Sequence, residues 1–101
     1  MVREINGLNE LQNVIKENKK VLVDVWAPWC GPCRMLGPIV DKVADSTEGL
    51  VTVKVNLDEN EDVAYKYGIE AIPTLLVFEN NELVNRSLGF IPEDKVRQLV
   101  K

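Results

Sequence analysis

The chain has 101 residues, 46% of them hydrophobic and 28% charged, with a net charge of -4. That balance fits one globular domain over residues 1–101, able to bury roughly two-thirds of its unfolded surface, and an acidic chain without a basic stripe argues against nucleic acid as a partner. Arg3, Glu4 and Asn6 interrupt the stretch where a secretion signal needs an apolar core, and no apolar run reaches the ~20 residues of a membrane span, so we expect no membrane association and a cytoplasmic location.

Taken in order, the elements alternate between strand and helix, without repeats or linkers. Residues 2–5 read as a short strand, after which Asn6 is placed to cap a helix whose inward face is Leu8, Leu11 and Ile15. Residues 21–26, "VLVDVW", form a nearly continuous β-branched run, the pattern of a central parallel strand covered on both faces. A helix over residues 32–46 follows, with Leu36, Ile39, Val40 and Val43 at helical spacing. Pro38 falls inside it, deletes one backbone hydrogen bond and predicts a kink. Residues 51–56, "VTVKVN", alternate as a strand, and residues 61–67 form a short helix ending at Gly68. Residues 74–78 and 82–88 flank Asn80-Asn81 as a two-residue hairpin, although glycine suits the second turn position better than Asn81. A last helix starts near Pro92, suited to the first helical position, and buries Val96, Leu99 and Val100; with Ile91 ahead of Pro92 it lacks a polar cap.

Both cysteines lie in "WCGPC", Cys30 just past the central strand and Cys33 in the first turn of the next helix. Residues three apart on a helix bring their Cβ atoms within ~5 to 6 Å, close enough for a disulfide. Unpaired N–H groups and the helix dipole at that end favour a thiolate at Cys30. The competing readings fit less well. Zinc takes four Cys or His ligands, and the chain has no histidine and no third cysteine. A staple closing a four-residue loop contributes only about 2 kcal/mol, and this chain is long enough to fold without one. Buried, inert thiols stay open, but a strand-to-helix junction is a poor place to hide side chains, and a redox pair is the favoured reading.

Asp24 interrupts the apolar central strand between Val23 and Val25. Ionising a carboxyl there is costly, so its pKa is expected to be raised; the alternative, a solvated acid at a strand edge, fits the apolar neighbours poorly. Lys54 falls on the strand expected to pair next to that of Asp24, and with Thr52 and Asn56 it also fits a solvated face. Trp26 reads as packing against the cysteines from within, and Trp29 as bordering them on the surface.

"VDVWAPWCGPCRMLGPIVDKVA", "KVNLDEN", "YGIEAIPTLLVFENNELV" and "LGF" together resemble the thioredoxin family over essentially the whole chain. The resemblance implies an α/β thioredoxin fold, a central mixed sheet of four to five strands flanked by about four helices. It implies a monomeric protein-disulfide reductase without metal or cofactor, an electron carrier that a flavoprotein reductase re-reduces and that acts on disulfide-containing target proteins. On the family's motif Cys30 attacks to form a mixed disulfide and Cys33 resolves it, Asp24 moves a proton with Cys33, and Lys54 is the aspartate's partner. Trp29, Gly31, Pro32, Ile72, Pro73 and Gly89 become the groove that receives the target, with the Ile72-Pro73 bond cis. Glycine and proline between the cysteines resemble the reducing members; oxidising and isomerising relatives place a histidine there. Outside that class, a binding module switched by the state of the two thiols and a structural subunit of a complex remain open, and turnover of a protein disulfide separates both from a reductase.

Overall fold

A computed structural model describes residues 2–101. Five strands and four helices follow one another as β1 (Val2–Ile5), α1 (Leu8–Glu17), β2 (Lys20–Trp26), α2 (Gly31–Ser46), β3 (Val51–Asn56), α3 (Glu61–Tyr67), β4 (Thr74–Glu79), β5 (Glu82–Leu88) and α4 (Glu93–Leu99). The strands form one mixed sheet in the order β1-β3-β2-β4-β5. β2 is central, as its composition predicts, but it is parallel only to β3 and runs antiparallel to β4. Composition reports burial on both faces, not the direction of a neighbour.

Alternation along β2 sorts the interior. Val21, Val23 and Val25 face α1 and α3 and pack with Leu11, Val14, Ile15 and Val63. Leu22, with Leu75 and Val77 of β4, faces α2 and α4 and packs with Leu36, Val40, Val43, Val96 and Val100. By the same period of two, Asp24 points to the α2 side. Each buried Val or Leu contributes on the order of 2 kcal/mol, so these two layers hold the sheet rigid around that carboxylate.

Local chemistry decides where several elements begin and end. α1 starts at Leu8 with Gly7, not Asn6, at its cap, and no side chain within the cap residue bonds to the first turn. The caps come from elsewhere: Asn60 Oδ1 accepts from Gly7 N at 2.6 Å, Asp62 Oδ2 from Leu8 N at 3.1 Å, and Glu10 reaches back to Asn6 N at 2.8 Å. Asn6 therefore loses the capping role to groups more than fifty residues away, which proximity in sequence cannot reveal. α2 begins one residue ahead of the expected Pro32 and continues through Pro38 to Ser46. A short 3-10 turn at Leu57–Glu59, not foreseen, carries the chain from β3 into α3. α3 ends where expected, at Gly68 with φ 62°. The hairpin has φ 51° at Asn80 and 70° at Asn81, the left-handed pair that a two-residue turn requires. β5 carries one extra residue, Val84, where its pairing with β4 shifts register between Val77 and Phe78. Pro92 precedes α4 as its cap, with Glu93 as the first helical residue, because its ψ of 169° is extended rather than helical.

Asn60 is 2% exposed and joins three elements: it accepts from Gly7 and donates through Nδ2 to the Asn56 carbonyl at 2.8 Å. Asn60→Ala should lose about 1 to 3 kcal/mol of stability, since it strands a part-buried backbone donor and acceptor together. Urea denaturation should show a lower midpoint at unchanged slope, with the Cys30–Cys33 disulfide still forming.

Candidate active site

The cysteines sit where β2 turns into α2. Cys30 N donates to the Ala27 carbonyl at 3.2 Å, which closes the turn after the strand. Cys30 then caps α2 in extended conformation, and its Sγ accepts the Cys33 N–H at 3.2 Å. A sulfur here takes the place of the oxygen that ordinarily caps a helix, so negative charge on it meets an N–H already aimed at it. Pro32 lies in the same turn and has no N–H to leave unpaired.

The two cysteines form a disulfide with their Cα atoms 5.3 Å apart, within the ordinary span of such bonds. Burial does not distinguish them, since each is 5% exposed. Their surroundings do. Cys33 lines a cavity of about 280 Å³ together with Asp24, Gly37, Asp41, Lys54 and Glu4, whereas Cys30 does not line it. Both cysteines share one cluster with Ala27, against which Trp26 and Ile72 pack.

Of the expected groove residues, Ile72 packs against this cluster. The Ile72-Pro73 bond is cis, as the resemblance implies. The Pro73 carbonyl accepts the Gly89 N–H at 2.8 Å, which ties together two loops sixteen residues apart. Gly89 has φ 82°, a conformation in which any side chain would be strained. Gly31 is half-buried and Pro32 exposed at the start of α2. Trp29 is 66% exposed, and its Nε1–H donates to the Asp58 carboxylate at 3.0 and 3.2 Å, so the ring is held at the rim from the side of the 3-10 turn. Trp26 is partly buried against the cysteines, and its Nε1–H donates to Glu4 Oε2 at 3.1 Å.

Asp24 is 2% exposed and its Oδ1 has no hydrogen-bond partner. Burial pushes its carboxyl up from the ordinary 3.8 to about 7; the Lys54 ammonium opposes that rise, while Asp41 and Glu4 add to it. The strand register sets Lys54 directly beside Asp24 on one side and opposite Glu4 on the other, a charged row across three strands. Lys54 is thus neither a free surface lysine nor in a tight pair with Asp24: its Nζ lies 3.4 Å from Asp41 Oδ1. Glu4, Asp41 and Asp58 were not singled out from the sequence. Glu4 joins the site only through the pairing of β1 with β3, and Asp41 only because α2 crosses that end of the sheet. Among the described residues no group of three or more His, Cys, Asp and Glu is placed to hold a metal ion, and no helix is long and apolar enough to cross a membrane.

Residues 3–101 match the sequence profile of the thioredoxin family. The chain is 42% identical to the thioredoxin of Mycoplasma pneumoniae over 100 residues, 99% of this chain and 98% of the relative. It is 47% identical to thioredoxin 1 of a Nostoc species over 91 residues, covering 89% and 85%. Among solved structures, a mutant thioredoxin from Halobacterium salinarum superposes with a TM-score of 0.93 at 37% identity, covering 98% of this chain and 87% of that one.

A carboxyl whose folded pKa lies above its unfolded value binds an extra proton in the native state. Its stabilising contribution is complete below about pH 3.8 and is lost as pH rises through about 7. Over that window the oxidised protein should lose on the order of 4 kcal/mol through Asp24. Asp24→Ala should remove that slope, so the variant should be the more stable protein at pH 8 and lose its advantage below pH 4. Urea melts of the oxidised forms across pH 3.5 to 8 would show this, and a parallel slope in both proteins would contradict it.

Proposed function

The chain belongs to the thioredoxin family and is a thiol–disulfide oxidoreductase, and from that premise we propose how its residues divide the work. The protein is a protein-disulfide reductase whose Cys30–Cys33 couple cycles between dithiol and disulfide; the family works with a reductase that restores the dithiol and with disulfide-bearing target proteins. The proposal concerns roles, and the observation that carries it is the unequal setting of two equally buried sulfurs. Cys30 caps the helix through its sulfur and does not line the cavity that contains Asp24, whereas Cys33 lines it.

In the reduced protein the Cys30 thiolate attacks one sulfur of the target disulfide. A Cys30–target bond forms, the target disulfide breaks, and its second sulfur leaves as a thiolate that takes up a proton. Asp24 accepts the proton of Cys33 through the cavity, and the Cys33 thiolate then attacks Cys30 Sγ. The intramolecular disulfide forms, the mixed disulfide breaks, and the remaining target sulfur leaves to be protonated. Two electrons have passed to the target. A base with pKa near 7 suits this step, because it takes and returns a proton at neutral pH with little bias either way.

Lys54 moderates the charge that Asp24 acquires. Trp29, Gly31, Pro32, Ile72, Pro73 and Gly89 receive the target segment; the exposed ring, the proline-rich turn and the Pro73–Gly89 bond leave a shallow surface with backbone within reach, suited to extended peptides of many sequences. Residues 1–101 act as one domain and one monomer in the cytoplasm, carrying electrons from a flavoprotein reductase.

Cys30→Ser should form no mixed disulfide and reduce no insulin, whereas Cys33→Ser should attack once and remain linked to its target. Non-reducing electrophoresis after incubation with a disulfide-bearing protein should show the trapped species with Cys33→Ser alone. Equal trapping by both variants would overturn the division of roles.

A further inference from the structure

The register of β2 and β3 puts Lys54 directly beside Asp24, and the simplest partner for a buried carboxylate is the nearest ammonium. The structure arranges otherwise. Lys54 Nζ turns from Asp24 to Asp41 Oδ1 at 3.4 Å, leaving Asp24 Oδ1 without a hydrogen-bond partner. We propose that Asp41 is a positioning residue: it anchors the Lys54 ammonium on the α2 side of the cavity and so denies Asp24 a direct ion-pair partner.

Two features make that anchorage possible. Gly37, one helical turn before Asp41, has no side chain, and a Cβ there would stand 3.4 Å from Lys54 Nζ. The ammonium therefore lies over the Gly37 position of α2, where a side-chain carbon would be in ordinary contact with it. Asp41 itself is half exposed, with 52% of its side chain accessible against 23% for Lys54, so water reaches its carboxylate while the lysine beside it is largely covered. A pair this exposed is weak in its own right. Its leverage lies in where it puts a charge relative to a buried carboxyl, around which water screens little.

The other charged groups facing Asp24 do not replace this effect. Glu4 on β1 adds negative charge and is bonded to Trp26. On α2, Arg34 also lines the cavity, but its Nη1 donates to the Pro28 carbonyl at 2.8 Å. β4 presents Leu75 beside Asp24 and carries no charge there. Lys54 is the cation whose position counts, and Asp41 is the group that holds it.

The functional value of this anchorage rests on the reading that Asp24 exchanges a proton with Cys33; the anchorage itself does not. It is tested by following the Asp24 carboxyl carbon by NMR across pH in the oxidised protein, for wild type, Asp41→Asn, Asp41→Glu, Lys54→Gln and the Asp41→Asn/Lys54→Gln double variant. Asp41→Asn should lower the Asp24 midpoint by about 1 pH unit, as the freed ammonium moves toward it, and Asp41→Glu should restore it. In the Lys54→Gln background the same substitution should move the midpoint less than half as far. An unmoved midpoint in Asp41→Asn overturns the proposal. So does an equal drop with and without Lys54, which would make Asp41 a bare through-space charge. The pH profile of disulfide reduction by each reduced variant separates the two claims: a profile that stays fixed while the Asp24 midpoint moves supports the anchorage and refutes Asp24 as the proton acceptor.

Discussion

A strand offers a side chain only two directions, and at β2 that constraint organises the whole molecule. Three valines on one face bind α1 and α3, while Leu22 on the other lies under α2 and α4. Because Asp24 follows Leu22 by two, it must enter the α2 side, beneath the turn that carries Cys33. A shift of one residue would send the carboxylate among the valines and a valine to the cysteines. The position of the acid relative to the thiol is therefore set by the same packing that makes the sheet stable. Nothing further is needed to aim it.

That arrangement sets stability against chemistry. A buried carboxyl in place of an apolar side chain weakens the fold, and its cost grows as it ionises. The two apolar layers offset it, since they are nearly continuous from β1 to β4 and include few other buried polar side chains: Thr52, Asn60 and Thr74. Asp24 is the buried charged residue among those described, and it stands in one row with Lys54 and Glu4 across three strands.

Much of this was legible in the sequence because local rules act on neighbouring residues. Gly68, the Asn80-Asn81 turn, the run of β2 and the spacing of α2 each combine a residue type with a short-range geometric demand, and each element lies within a residue or two of its expected place. Cys30 and Cys33 were legible for the same reason, sharing one turn with their context. Elsewhere the deciding partner is remote. Asn6 had the right chemistry for a cap, but Asn60 and Asp62 supply oxygens from across the fold. The direction of β4 relative to β2 follows from how the chain returns, and not from either strand's composition. Lys54 lies beside Asp24, as one of its readings had it, but its ammonium is bound to a helix residue that no strand pattern includes.

The two outer strands carry a further consequence. β1 is only four residues long and includes Arg3 and Glu4, and β5 bears the extra Val84 with exposed Glu82 and Arg86 along its length. Short, charged or bulged borders are poor templates for another chain's backbone, because they keep unpaired N–H and C=O groups from lining up in a straight row. The sheet therefore ends on both sides in borders that offer another chain little to pair with, and its regular, fully paired hydrogen bonding is kept to the three inner strands.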